Sequence, residues 1–125
     1  MLRTPQLFAV SHALRAKVQV LLKRGKVSYP TGAKIPQKET VTSTLYLRDP
    51  AVKAYVLQSA VGICQCCKTA APFKTVSGTG NLEVHHIRPL AEGGSDTVQN
   101  TVAVCPNCHR ALHWAEDKQA RLWTH

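Results

Sequence analysis

The sequence predicts an α+β fold, with helices in the first half followed by two short strands and a further helix. Three observations carry that prediction. Apolar residues recur at helical spacing from Leu7 to Lys23, and Asp49-Pro50 has the chemistry of a helix start. Two short apolar runs, separated by a glycine-rich stretch, precede a second helix start at Cys105-Pro106. At 125 residues, 44% of them hydrophobic, the chain has the size of one compact domain with modest appendages.

The elements follow in order. Leu7, Val10, Leu14, Val18 and Leu21 form an apolar stripe opposite His12, Arg15, Gln19, Lys23 and Lys26, which predicts an amphipathic helix closed by Gly25. Lys26 to Lys38, with its Tyr29-Pro30-Thr31-Gly32 turn, lacks periodicity and is expected to be a basic arm. Val41 to Leu47 alternates apolar and polar residues as a short strand would. In the next helix Asp49 caps free N–H groups and Pro50 is preset for the first turn, and the helix should reach Ala60, before Gly62. Leu82 to Ile87 and Thr101 to Val104 are expected strands, with a loop over Pro89 to Asp96 between them. A last helix should run from Cys105-Pro106 to near Lys118. The organisation predicted is a basic helix and arm over 1–48 and a second region over 49–125.

Charge and chemistry are segregated along the chain. Of the net charge of +9, residues 1–60 hold +8 (ten Lys/Arg against two Asp/Glu) and residues 61–125 only +1. Such an excess points to a polyanionic partner, nucleic acid first. No apolar run approaches the ~18 residues of a membrane span, and Arg3, Pro5 and Gln6 interrupt the start where a signal peptide would be apolar, so no membrane is expected and a cytoplasmic protein is. Five cysteines in that setting are metal ligands or thiols before they are disulfides.

Cys64-Gln65-Cys66-Cys67 and Cys105-Pro106-Asn107-Cys108 each offer outer thiols with two residues between them, the spacing of a zinc knuckle. Together Cys64, Cys67, Cys105 and Cys108 predict a structural four-cysteine Zn2+ site, with Cys66 spare. His85, His86, His109 and His113 form a second cluster. The last two are four apart on the expected helix and project from one face. His85 and His86 end the first strand, and one of them can join the same ion while the other stays free. No fourth ligand is evident, since Glu83 alternates within the strand, and an open coordination position is a mark of catalysis. His12 and His125 are expected to be ordinary surface or core residues, and Trp114 and Trp123 packing residues.

The run Leu82-Glu83-Val84-His85-His86-Ile87-Arg88-Pro89-Leu90, then Gly93-Gly94-Ser95-Asp96, Asn100 and Cys105-Pro106-Asn107-Cys108-His109-Arg110 through His113, resembles the HNH endonuclease motif. His86, Asn100 and His109 stand at the three signature positions. Their separations of 14 and 9 residues, with 4 more to His113, are similar to those of the ββα-metal hairpin and helix. The resemblance covers residues 62 to 114. With the helix from Arg48 to Ala60 and Ala71-Pro72-Phe73, it is similar to McrA-like restriction endonuclease catalytic domains. Residues 1–47 resemble no family.

That resemblance implies a ββα-metal HNH core over 49–125 with structural zinc knuckles, acting on DNA. It implies that His85, His109 and His113 bind one divalent ion (Zn2+, Ni2+, Co2+ or Mn2+ in preference to Mg2+, since imidazole is a borderline-soft donor) and that His86 is the general base. Asn100 would tether the loop between the strands and orient that base. Imidazole ordinarily titrates near pH 6.5, which suits proton abstraction at working pH. The expected reaction is phosphodiester hydrolysis leaving 5′-phosphate and 3′-hydroxyl ends, in restriction, defence or phage biology. Arg88 and Arg110 beside the centre, and Arg15, Lys23 and Lys26 on the basic half, are expected phosphate contacts. A single site cuts one strand, so a double-strand break would call for a homodimer or sequential nicks. The rival reading is a non-catalytic zinc-containing nucleic-acid-binding module with one ion per chain and no cleavage.

Overall fold

A computed structural model describes residues 5–122, and the side chains of all of these except 5–11, 119 and 122. Trp123 and His125 lie outside the described residues, as do the side chains of Leu7 and Val10. The chain divides into two compact units, Met1–Tyr46 and Leu47–His125.

In the first unit α1 (Pro5–Lys23) opens on a proline and carries Lys23 in its last turn. Gly25, at φ 99°, turns the chain away. The apolar stripe is not buried as an amphipathic helix's usually is: Leu14, Val18 and Leu21 are 65%, 42% and 46% exposed. The strand expected over Val41 to Leu47 does not form. Alternation creates a strand only where a neighbour completes the hydrogen-bond ladder, and among the described residues the segment has no such neighbour, with Leu45 exposed.

The second unit holds the remaining elements. α2 (Pro50–Ala60) begins as its sequence dictates: the Asp49 side chain accepts from the Ala51 N–H at 2.9 Å, a cap worth about 1 kcal/mol. It ends with Val61 at φ 52°, one residue before the glycine expected to do so. β1 (Glu83–His86) and β2 (Thr101–Val104) pair antiparallel, with His85 opposite Val102 and His86 opposite Thr101. Between them run two short 3-10 turns, Leu90–Glu92 and Val98–Asn100. α3 (Pro106–Trp114) is capped by the Cys105 sulfur and stops at Ala115, whose ψ of 147° is extended, short of the end expected near Lys118. α4 (Lys118–Leu122) follows.

A two-stranded sheet is marginal alone. Here α2 and α3 pack on it, and all four residues of β2 are buried. The core between them is small and partly made of sulfur: Cys64, Cys105 and Cys108 sit beside Val56, Val104 and Leu112. Among the described residues no helix is long and apolar enough to cross a membrane.

Candidate metal centres and active site

Two local folds bring four cysteines together. The turn after α2 is closed by Cys64 N–H to the Thr69 carbonyl and Lys68 N–H to the Cys64 carbonyl, at 2.8 and 2.9 Å, with Lys68 in the left-handed region at φ 65°. That curl aims the N–H groups of Cys66 and Cys67 at the Cys64 sulfur, both at 3.4 Å. The start of α3 repeats the device, with Cys108 N–H 3.4 Å from the Cys105 sulfur. The sulfurs of Cys64, Cys67, Cys105 and Cys108 all lie within 4.8 Å of one another, and Cys67 to Cys105 is 4.0 Å. Burial pushes the Cys105 and Cys108 thiols up, whereas the Thr69 hydroxyl, 2.9 Å from the Cys67 sulfur, pulls Cys67 down to about 6. Thiolates at the buried positions Cys64, Cys105 and Cys108 need a compensating cation, and four soft donors at knuckle spacing match Zn2+.

Cys66 stays outside this group, with its sulfur 3.6 Å from the Arg121 carbonyl. Gln65, which sequence reasoning passed over, fastens the turn to the sheet: its N–H donates to the Ala103 carbonyl at 2.9 Å and its Oε1 accepts from the Ala103 N–H at 2.8 Å.

The histidine cluster is built by the two periodicities of strand and helix. Glu83 and His85 share a face of β1, while His109 and His113, one turn apart on α3, share a face of that helix. The three rings meet with centroids 4.9 to 5.3 Å apart, and one nitrogen from each lies within 4.8 Å of the others. His85 is 5% exposed, and its Nδ1 is buried without any hydrogen-bond partner. Burial, aided by the neighbouring imidazoles, holds His85 down to about 3 and His113 down to about 4. Three converging imidazoles, one of them with an orphaned nitrogen, form a donor set that a divalent ion satisfies. Glu83 Oε1 lies 2.8 Å from His109 Nδ1, so the ring's other nitrogen, Nε2, is the one left for an ion. Sequence reasoning gave Glu83 no role, although its i, i+2 relation to His85 placed it on the same face.

His86 points the other way along the pleat. Its Nε2 is 2.9 Å from Asp96 Oδ1, and Asp96 Oδ2 accepts from the Asp49 N–H at 2.7 Å. Asn100 closes the intervening loop: Oδ1 accepts from Arg88 N–H at 2.9 Å, and Nδ2 donates to the Arg88 and Ser95 carbonyls at 3.0 and 2.6 Å. Asn100 thus acts on the loop, and the group touching the His86 ring is Asp96. Gly94 is required here, since any Cβ would run into the Arg88 carbonyl.

Residues 64–114 match the model of the HNH endonuclease family. Across that segment the chain is similar to the HNH endonucleases. The chain is 45% identical over 104 residues, 83% of its length, to the type IV methyl-directed restriction enzyme EcoKMcrA of Escherichia coli K12, spanning 37% of that protein. It is 47% identical over 34 residues to Anaredoxin of Nostoc sp., covering 27% of this chain and 45% of that one. Among solved structures it is similar to the type IV phosphorothioation-dependent restriction endonuclease ScoMcrA, with TM-score 0.55 and 28% identity over 86% of this chain and 19% of that one.

Within the HNH segment Arg88 and Arg110 are exposed, Arg88 spending its Nε on the Glu92 carbonyl at 2.9 Å. Arg15, Lys23 and Lys26 are exposed in the other unit, Met1–Tyr46, and are described only there. Trp114 is half-buried at the end of α3.

Proposed function

We propose that this chain is a metal-dependent HNH nuclease that hydrolyses DNA phosphodiester bonds in restriction defence, leaving 5′-phosphate and 3′-hydroxyl ends. The observation that carries the proposal is a trio of converging imidazoles, one with an orphaned nitrogen, immediately beside a fourth imidazole held by a carboxylate. Its kinship with restriction endonucleases supports the biological role.

His85, His109 and His113 would hold the divalent ion, and Cys64, Cys67, Cys105 and Cys108 a structural zinc. When bound at the histidines, the ion supplies positive charge for the phosphoryl and leaving oxygens as they become more negative. His86 removes the proton from the attacking water. Glu83 fixes the ring of His109 through Nδ1. Asn100 holds the loop in the shape that keeps Asp96 against His86. Arg88 and Arg110 contact phosphates beside the scissile one.

The test incubates wild type and His86→Ala with supercoiled plasmid across Mg2+, Mn2+, Co2+, Ni2+ and Zn2+. Loss of the base should slow nicking by about 100-fold or more while metal content and DNA affinity stay at wild-type values. A fully active His86→Ala protein would contradict the assignment. Absence of cleavage with every ion would favour a zinc-containing binding module instead.

A further inference from the structure

The geometry points to Asp96 as the positioning residue of the general base: its carboxylate fixes His86 in the tautomer that carries the proton on Nε2 and leaves Nδ1 as the basic nitrogen. This rests on His86 being the base.

Asp96 uses both oxygens, Oδ1 on His86 Nε2 at 2.9 Å and Oδ2 on the Asp49 N–H at 2.7 Å. These same two bonds, the His86 one first, hold the Asp96 carboxyl below its usual range, so it is ionised at neutral pH. An ionised carboxylate has no proton to give. The hydrogen between Asp96 and His86 must therefore sit on Nε2, and a singly protonated ring then has its lone pair on Nδ1.

The second bond makes the hold rigid. Asp49 is the N-cap of α2, its own side chain turned onto the Ala51 N–H, so Asp96 is pinned to the first turn of a helix rather than left on a free loop. The residues beside it are tied as well: the Ser95 carbonyl accepts from Asn100, and the Ser95 and Thr97 hydroxyls are 2.8 Å apart. The His86 and Asp96 side chains are 11% and 19% exposed, which limits competition from water. A carboxylate so placed does for an imidazole base what the third member of a hydrolytic triad does: it selects the tautomer, fixes the ring plane and stabilises the imidazolium once the proton has moved. Asp96 touches no substrate, and its effect travels through His86.

Two measurements on the whole chain test this. Two-bond proton–nitrogen NMR correlation of the imidazoles, on zinc-loaded protein at neutral pH, reads the tautomer without any cleavage. Wild-type His86 should show a single form protonated on Nε2, and Asp96→Ala should lose that preference. A His86 protonated on Nδ1 in wild type, or an unchanged signal in Asp96→Ala, would overturn the proposal. In plasmid nicking, Asp96→Ala should lower kcat about 10- to 100-fold with KM and metal content unchanged. Asp96→Asn, which keeps an acceptor for the Asp49 N–H and so preserves α2, should also lose kcat because its amide NH2 then faces His86 Nε2 and donates to it, favouring the tautomer protonated on Nδ1. Adding Asp96→Ala to His86→Ala should cost nothing further. A kcat unchanged in Asp96→Ala, or an equal loss with and without His86, would assign Asp96 a structural role instead. Full activity of His86→Ala would sink the nuclease assignment of that residue, and the tautomer signal would still decide what Asp96 does to it.

Discussion

Two imidazoles of the candidate site, His85 and His113, have a consequence for stability against pH. His85 and His113 stay neutral when folded down to about pH 3 and 4, because burial disfavours their cations. Unfolded, they take protons near pH 6.5. Between those limits the unfolded chain binds more protons than the folded one, so stability is lost as pH falls from about 6.5 toward 4. Protein whose histidine centre has been stripped by a mild chelator should show its Tm falling through that window, and loading the centre with a divalent ion should raise Tm at each pH. Glu83 belongs to this scale too. Glu83→Gln exchanges a charged partner of His109 for a neutral one, and ion affinity at the histidines should weaken about 10-fold in calorimetry, with the cysteine-bound zinc retained. Neither Glu83 nor Asp96 was legible as a site residue in the sequence. Their partners lie 26 and 10 residues away, and only the hairpin and α3 bring them within reach. The histidines and cysteines were legible because their spacings, three apart in a knuckle and four apart on a helix, are themselves the geometry of ligation.

At the level of elements, α3 is where both centres meet. Cys105 caps it, Cys108 lies in its first turn, and His109 follows directly. Structural zinc sites bind with about 10–16 kcal/mol, as much as the whole ~5–15 kcal/mol stability of an ordinary domain. Cys108→Ser should therefore release both ions, and metal analysis of the purified variant should find far less than one ion per chain rather than one. The loop between β1 and β2 has its own weak point. Gly94→Ala forces a methyl against the Arg88 carbonyl, displacing the turn that leads to Asp96, and nicking should fall about 10-fold or more while the zinc content is kept. Elements with local punctuation could be read ahead of the structure: Asp49-Pro50 starts α2 and Cys105-Pro106 starts α3 where expected. The Val41 to Leu47 alternation misled because a strand depends on a partner elsewhere in the chain. Nothing in the composition of Trp114-Ala115 signals the end of α3.

For the whole molecule the division of charge is the main feature. The basic excess lies in residues 1–60, whereas the two ligand clusters lie between Cys64 and His113. If Arg15, Lys23 and Lys26 contact phosphates, replacing all three with alanine should make the log–log slope of DNA affinity against salt shallower by about 2 to 3, while the nicking rate at saturating DNA stays the same. One centre per chain also predicts an order of products: nicked circles should accumulate before linear DNA, and the linear form should grow faster at higher protein concentration if two copies act together. The most direct test of the nuclease assignment separates the two metal centres. Protein stripped to one cysteine-bound zinc per chain should leave supercoiled plasmid intact, and one equivalent of a divalent ion, bound at His85, His109 and His113, should restore nicking. Cleavage by the one-zinc protein, or failure of every ion to restore it, would contradict that assignment.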